Sequence, residues 1–247
     1  MIPILLQVHT RALTKIKFNK PGDLLFTAAK DDTPNVWYAH NGERLGSFEG
    51  HHGSVWTVDV TSDSRTMASG SADNSARLWD VERGKCVKVF ETETAVRSVA
   101  FSMEGSQLAL VTDATMGKPS MMYIYDWRMG EGKPRLSIDC GSSEQKPTVV
   151  AWTDCNESIV TGHQDGHLTL WDPLTGSKIR VAESGASAHR DQIKDIQFSP
   201  DLSYFITASK DTTAKIFDAA SLECVKTYKT ERPVNSAAIS PIRSEVC

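Results

Sequence analysis

Four segments of the sequence share one order of residue types at a fixed spacing. In each, a Ser or Thr is followed by Asp four residues later and by an aromatic residue six positions after that Asp. The segments are FTAAKDDTPNVWY (26–38), ASGSADNSARLWD (68–80), VTGHQDGHLTLWD (160–172) and ITASKDTTAKIFD (206–218). Trp79 follows Trp37 by 42 residues, and Phe217 follows Trp171 by 46. This period restricts the chain to an architecture of repeated supersecondary units, each packed on its neighbours.

Short apolar runs precede these segments and form a second marker. They are LTKIKF (13–18), VWTVDV (55–60), VRSVAF (96–101), TVVAWT (148–153), IKDIQF (193–198) and VNSAAI (234–239). Alternating apolar residues between clusters of turn-forming residues predict short strands. Four strands in about 42 residues, with Trp-Asp at 79–80 and 171–172, are the signature of a WD40 repeat. We therefore expect an all-β fold, a WD40 β-propeller.

Three histidines recur with the same period. His9, His51 and His189 each precede the aromatic residue of their repeat by 28 positions. Because a catalytic residue would be expected once, recurrence favours a structural role. The resemblance to WD40 repeats implies a hydrogen-bonded tetrad of His, Ser or Thr, Asp and Trp in each blade. Its predicted members are His9, Thr27, Asp31, Trp37, His51, Ser69, Asp73, Trp79, Thr161, Asp165, Trp171, His189, Thr207 and Asp211.

The repeats are unequal in these positions. The fourth has Ser143 at the histidine offset, and the fifth has Phe217, which cannot donate a hydrogen bond, in place of Trp. The third has neither histidine nor turn spacing and carries an insertion at 113–119. His163 and His167 are four residues apart, but a predicted turn at Asp165 separates them, so the spacing loses its value for a metal on a helix.

Composition excludes several classes of function. The chain has 247 residues, 27 basic and 31 acidic, with a net charge of −4, so charge gives no reason to expect sequence-specific binding of nucleic acid. Five cysteines without CxxC spacing suggest neither a disulfide framework nor a thiolate zinc site, and reduced thiols fit the cytoplasm. The N-terminal apolar run at 2–6 is too short to cross a membrane. We expect no enzyme activity, no metal and no cofactor.

Several segments exceed what the propeller requires and resemble one family, subunit i of eukaryotic translation initiation factor 3. They are PILLQ (3–7), GDLLFT (22–27), NVWY (35–38), NGERLG (41–46), GSADNS (70–75), TASKDTTAK (207–215) and TERPVNSAA (230–238). The resemblance implies a seven-bladed propeller. We therefore expect residues 1–247 to form a single domain of about five blades and the start of a sixth, incomplete at its C-terminus.

The resemblance also implies a function, that of a scaffold subunit of the initiation factor 3 complex. Such a subunit would support assembly on the small ribosomal subunit, mRNA recruitment and scanning. Subunits b and g would be its partners, with a helical C-terminal segment of b docked on the propeller. The expected contacts are Lys210, Asp211, Thr212, Arg232 and Asn235.

Two other functions stay open from the sequence. One is a signalling adaptor bound to a receptor kinase or ubiquitin ligase, because WD40 faces serve many partners. The other is an enzyme or metal protein that uses the histidines.

Overall fold

A computed structural model describes residues 4–115, 117–129, 132–141, 145–153, 157–182 and 188–240. These residues form twenty strands in five four-stranded sheets, and none of them lies in an α-helix. The predicted all-β class is therefore confirmed, with five propeller blades.

The strands of each sheet follow one another along the chain. The first sheet contains β1 (Leu13–Phe18), β2 (Leu24–Ala29), β3 (Asn35–Tyr38) and β4 (Arg44–Ser47); the second contains β5 (Val55–Val60), β6 (Thr66–Ser71), β7 (Ser75–Asp80) and β8 (Lys85–Glu91). The third contains β9 (Val96–Phe101), β10 (Gln107–Thr112), β11 (Met121–Asp126) and β12 (Leu136–Asp139). The fourth contains β13 (Pro147–Trp152), β14 (Ile159–His163), β15 (Leu168–Trp171) and β16 (Lys178–Ala182); the fifth contains β17 (Ile193–Phe198), β18 (Tyr204–Ser209), β19 (Thr213–Asp218) and β20 (Cys224–Lys229).

The apolar runs of the sequence are the first strands of the sheets. Four runs coincide with β1, β5, β9 and β17, and the run at 148–153 is displaced by one residue from β13. The sixth run, at 234–239, is not part of the five sheets. Instead, Val234 N donates to Ser209 O at 3.0 Å, and Ala237 packs on Ile206 and Ala208 of β18. The expected first strand of a sixth blade therefore lies against the fifth sheet as an irregular segment.

Two compact units divide the chain. The first comprises residues 1–112 and 125–133, and the second comprises 113–124 and 134–247. In the first unit, side chains of sheets one and two share a core that includes Phe26, Phe48, Val58, Met67 and Trp79, all nearly inaccessible to solvent. Burying such large apolar side chains between successive sheets is the main stabilising contribution in a repeat of this kind.

The second unit has a core of the same kind. Side chains of sheets four and five pack together there, among them Val160, Leu168, Ile193, Phe205 and Phe217. Each unit thus joins two successive blades through one apolar cluster.

Tight turns between the second and third strands hold the tetrad aspartates. After Asp73 and Asp211 the backbone turns through Asn74, with φ of 62°, and Thr212, with φ of 66°. A left-handed conformation suits Asn but is unusual for a β-branched Thr. These turns place the two aspartates at the same end of their sheets as the loops that carry His51 and His189.

Candidate functional site

A chain of hydrogen-bonded side chains crosses the second sheet. Trp79 Nε1 donates to Ser69 Oγ at 2.8 Å, and Ser69 Oγ lies 2.6 Å from His51 Nε2. His51 Nδ1 lies 2.8 Å from Asp73 Oδ2. Ser69 and Trp79 are on β6 and β7, whereas His51 and Asp73 are in loops. The side chains therefore connect two strands with two loops of the same sheet.

The order of donors determines the protonation state of the histidine. Because Ser69 Oγ accepts the indole N–H, its own hydrogen is available to His51 Nε2, and His51 Nδ1–H then donates to Asp73. This arrangement requires a neutral imidazole. Burial lowers the pKa of His51 and outweighs the opposing effect of the Asp73 carboxylate.

The two tetrad aspartates of the second and fifth sheets, Asp73 and Asp211, have lowered pKa values. Burial alone would raise the pKa of Asp73, but hydrogen bonds from Ser75, His51 and the amide of His52 lower it to about 2. In the fifth sheet burial has the same effect on Asp211, and hydrogen bonds chiefly from Thr213 lower its pKa to about 2. Each carboxylate is therefore ionised beside a neutral imidazole.

The first and fifth sheets repeat this geometry with one difference. His9 lies 2.8 Å from both Asp31 Oδ2 and Thr27 Oγ1, and Trp37 Nε1 donates to Thr27 at 2.9 Å. In the fifth sheet His189 lies 2.9 Å from Asp211 and 2.6 Å from Thr207.

Phe217 takes the position of Trp in the fifth sheet and donates nothing to Thr207. Its ring instead stacks on Phe205, with centroids 5.4 Å apart. Apolar contact there replaces the indole hydrogen bond.

The tetrad of the fourth sheet differs from the one predicted from the sequence. Trp171 Nε1 donates to Thr161 at 2.7 Å, and Thr161 Oγ1 lies 2.8 Å from His163 Nε2, so this sheet does contain a histidine in the chain. His163 Nδ1 lies 2.6 Å from the backbone carbonyl of Gln145. Asp165, predicted as the tetrad carboxylate, is instead 2.8 Å from His167 Nδ1.

The sequence does not predict His163 as a tetrad member because the other tetrad histidines lie 28 residues before their aromatic residue, whereas His163 lies eight residues before Trp171. Ser143, at the 28-residue offset, lies outside the described residues. A usable signal was present, since His163 is two residues after Thr161 on β14, and alternate residues of a strand share one face. Burial lowers the pKa of His163 as well, so the ring is neutral there too.

The expected partner contacts lie in two loops of the second unit. Lys210, Arg232 and Asn235 are exposed, whereas Asp211 and Thr212 are half-buried. Thr230 N donates to Thr212 O at 2.9 Å, which joins the two loops. Asp211 is already engaged by His189, so the exposed surface is provided by the other residues.

A groove in the first unit runs between the ends of sheets one and two. This first-unit groove has a volume of about 600 Å³. Buried Val36 and Phe48 line its interior, and exposed charged residues of both signs line its edge. Those residues are Asp23, Arg65, Glu82 and Arg83.

A second groove, in the second unit, lies between sheets four and five. This second-unit groove has a volume of about 520 Å³ and is lined by Leu170, Leu202 and Ile179, of which Ile179 is 53% exposed. Among the described residues, the charged side chains that line it are the carboxylates of Glu157, Asp201 and Asp218.

Local hydrogen bonds keep two of these carboxyl groups ionised. The hydroxyls of Ser199 and Ser203 lower the pKa of Asp201. The backbone amide and hydroxyl of Ser221 lower the pKa of Asp218. The groove therefore combines an apolar surface with negative charge.

Two further kinds of site are absent from the residues that the structure describes. Within them, no three His, Cys, Asp or Glu side chains are grouped so that they could hold a metal ion. The same part of the chain contains no helix long and apolar enough to span a membrane.

Comparison with known proteins gives the family. The family model EIF3I matches residues 1–247. The chain belongs to the EIF3I family. Eukaryotic translation initiation factor 3 subunit I of Drosophila melanogaster is 47% identical over 251 residues, covering 100% of this chain and 76% of the relative. The protein of the same name from Danio rerio is 48% identical over 250 residues, covering 100% and 75%.

Membership in the EIF3I family agrees with the resemblance found in the sequence. The matched relatives are named as subunits of a translation initiation factor.

Proposed function

We propose that this chain is a non-catalytic scaffold subunit of the eukaryotic translation initiation factor 3 complex. In this role it supports assembly of the initiation complex on the small ribosomal subunit, mRNA recruitment and scanning, in the cytoplasm. It does so through protein contacts and not by reading a nucleic acid sequence. The proposal rests on the EIF3I family, whose members are named as subunits of that factor. We also propose that the five blades belong to a propeller of seven blades, as the resemblance implies.

The second-unit groove supports the part of the proposal that concerns partner binding. A scaffold subunit needs a surface that selects one partner, and this groove offers apolar contact from Leu170, Ile179 and Leu202 beside three carboxylates. An apolar surface bordered by negative charge fits a segment with aliphatic side chains on one face and Lys or Arg beside them. Exposed Ile179 provides an apolar contact that such a segment would bury.

We assign this groove to the helical C-terminal segment of subunit b, with subunit g as a second partner. An amphipathic helix can present aliphatic residues at every third or fourth position and basic residues on its flanks. Lys210, Asp211, Thr212, Arg232 and Asn235 form the second proposed contact surface. Because they belong to loops joined by Thr230, a partner there would bind both loops together.

Co-purification tests the proposal. The tagged chain is expressed in eukaryotic cells, and the co-purified subunits b and g are identified and quantified by mass spectrometry. The double variant Glu157→Lys/Ile179→Ser should lose most of subunit b, because it reverses one charge and removes one apolar contact. Both side chains are on the surface of the groove, so the fold should tolerate the change.

The first-unit groove provides the matched control. The variant Glu82→Lys/Leu45→Ser makes the same two changes there and should keep wild-type recovery of subunit b. Recovery of the wild-type chain without subunits b or g would contradict the scaffold function. Equal loss in both double variants would contradict only the assignment of the groove.

A further inference from the structure

The two grooves occupy the same place in their pairs of sheets. In each, the turn between the first and second strands contributes to the lining. Thr61 N donates to Thr66 O and Ser199 N to Tyr204 O, both at 2.9 Å, so the two turns have the same hydrogen bond. Arg65 in one turn therefore corresponds to Ser203 in the other.

The turn between the third and fourth strands corresponds in the same way. Gly84 N donates to Asp80 O at 2.8 Å, and Leu222 N donates to Asp218 O at 3.0 Å. Arg83 therefore corresponds to Ser221. The two arginines that line the first-unit groove therefore correspond to Ser203, which lines the second-unit groove, and to Ser221, which follows its lining residue Ala220.

These arginines change the charge around otherwise similar carboxylates. Arg83 Nη1 lies 3.7 Å from Asp80 Oδ2, and its side chain is 75% exposed. The corresponding Asp218 accepts hydrogen bonds from the backbone amides of Ala220 and Ser221. The charged side chains lining the first-unit groove sum to zero, with Asp23 and Glu82 against Arg65 and Arg83. Among the described residues, those lining the second-unit groove sum to −3, or to −2 when Arg180 is counted, whose Nη1 donates to Ser221 O at 2.8 Å beside the groove.

We propose that Arg65 and Arg83 are specificity residues that exclude basic apolar segments from the first-unit groove. The two grooves share an apolar interior, and the arginines restrict such segments to the second-unit groove. This inference rests on the proposed function, because it concerns the choice of site for the same class of partner. A Lys or Arg brought beside a guanidinium repels it, and removing such repulsion from an otherwise suitable surface restores binding.

Binding stoichiometry tests the inference. The probe is a synthetic amphipathic helical peptide made of Leu, Ile, Lys and Ala, titrated into the full chain by isothermal calorimetry. The wild-type chain should bind one peptide, and the variant Arg65→Ser/Arg83→Ser should bind two. The affinity of the new site should rise by about tenfold or more over the wild-type first-unit groove, since two repulsive charges are lost. A matching peptide with Glu in place of Lys should not gain a second site.

The reciprocal change uses the second-unit groove. Ser203 is exposed, and Ser203→Arg places a guanidinium where Arg65 stands in the other unit. This variant should weaken the single wild-type site by about tenfold, as expected for one added repulsive charge. Urea unfolding of each variant at the wild-type midpoint shows that the fold is retained.

The outcomes separate this inference from the proposed function. One peptide on both the wild-type chain and the double arginine variant overturns the inference and leaves the proposed function intact. Two peptides on the wild-type chain also overturn it, because the arginines then exclude nothing. No peptide on the wild-type chain contradicts the assignment of the second-unit groove. In that case, the inference is supported if the arginine variant gains a site and overturned if it does not.

Discussion

In the second and fourth sheets hydrogen-bond donors and acceptors follow one another in the same order, but the histidine comes from a different position in the chain. In both, an indole donates to a hydroxyl, and the hydroxyl donates to the Nε2 atom of a neutral histidine. In the second sheet the imidazole comes from a loop before the first strand, and its Nδ1–H donates to the Asp73 carboxylate. In the fourth, His163 lies on the second strand and donates to a backbone carbonyl.

The two sheets share one feature of this hydrogen-bonded chain and differ in another. Both sheets keep a buried imidazole between a hydroxyl and an acceptor outside the strand. The charge of that acceptor differs, because Asp73 is ionised and the Gln145 carbonyl is neutral. Substitutions in the two sheets should therefore have unequal costs, and unfolding experiments can measure the difference.

Removal of the histidine should have the largest effect. His51→Ala should lower the free energy of unfolding by about 3 kcal/mol, since it leaves a cavity, an unpaired Ser69 hydroxyl and a partly buried carboxylate. His163→Ala should cost about 2 kcal/mol, because the acceptor left behind is a neutral carbonyl. Urea unfolding followed by tryptophan fluorescence measures both.

His52→Ala is the control for the first prediction. Its side chain is exposed, so the change should stay within about 0.5 kcal/mol of wild type. If His51→Ala is as mild as this control, the histidine does not stabilise the fold. A loss in His163→Ala that equals or exceeds the loss in His51→Ala would remove the distinction between charged and neutral acceptors.

Substitution of the aspartates should also destabilise the two sheets by different amounts. Asp73→Asn should cost about 2 kcal/mol, because the carboxylate accepts bonds from His51, Ser75 and the His52 amide. Asp165→Asn should cost less, about 1 kcal/mol, since its bonds are to the ring and the backbone amide of His167 and the two side chains are 24% and 25% exposed. The same unfolding measurement applies, and equal costs would show that Asp165 does take the tetrad role predicted from the sequence.

Loss of the indole donor should have a smaller effect. Trp79→Phe gives the second sheet the aromatic residue found at Phe217 in the fifth. The cost should be about 1–2 kcal/mol, for one hydrogen bond and the volume that phenylalanine does not fill. Trp171→Phe tests the fourth sheet in parallel. A cost near zero in both would mean that ring packing alone holds these positions.

Acidification should lower the stability of the fold through its buried histidines. Because burial lowers the pKa of His51, His163 and His189, the unfolded chain binds more protons than the folded chain below pH 6.5. Their contribution is fully present above pH 6.5 and is lost as the pH falls below it. We expect the free energy of unfolding to fall between pH 7 and pH 5, with a contribution from each of these histidines.

The aspartates lose their stabilising contribution at a lower pH than the histidines do. With pKa values of about 2 for Asp73 and Asp211, their stabilising contribution is present above pH 3.8 and is lost as the pH falls toward 2. The loss between pH 7 and 5 should therefore shrink in His51→Ala and His163→Ala. An unchanged loss in those variants would assign it to other groups.

Much of the fold could be read from the sequence because each repeat carries its own markers. The alternating runs at 13–18, 55–60, 96–101 and 193–198 matched strands residue for residue, since alternation directly reflects the two faces of a strand. The run at 234–239 is also rich in apolar residues, but among the described residues it belongs to none of the five sheets, because strand formation also depends on neighbours that the local sequence does not specify.

The site was less predictable for a related reason. A spacing rule finds a side chain only when it comes from the expected loop, and His163 comes from the strand itself. The grooves were not visible at all in the sequence. Arg65 and Ser203, for example, correspond only when the two turns are compared in three dimensions.

The hydrogen bond from His163 to the carbonyl of Gln145 affects which positions of this chain tolerate substitution. Every residue type provides a backbone carbonyl, so position 145 can be substituted without losing the acceptor. In the second sheet the same bond depends on the side chains of both His51 and Asp73. In the fourth sheet the bond depends on the side chain of His163 alone. A library of random substitutions should therefore show that position 163 is intolerant and that positions 145 and 165 are permissive.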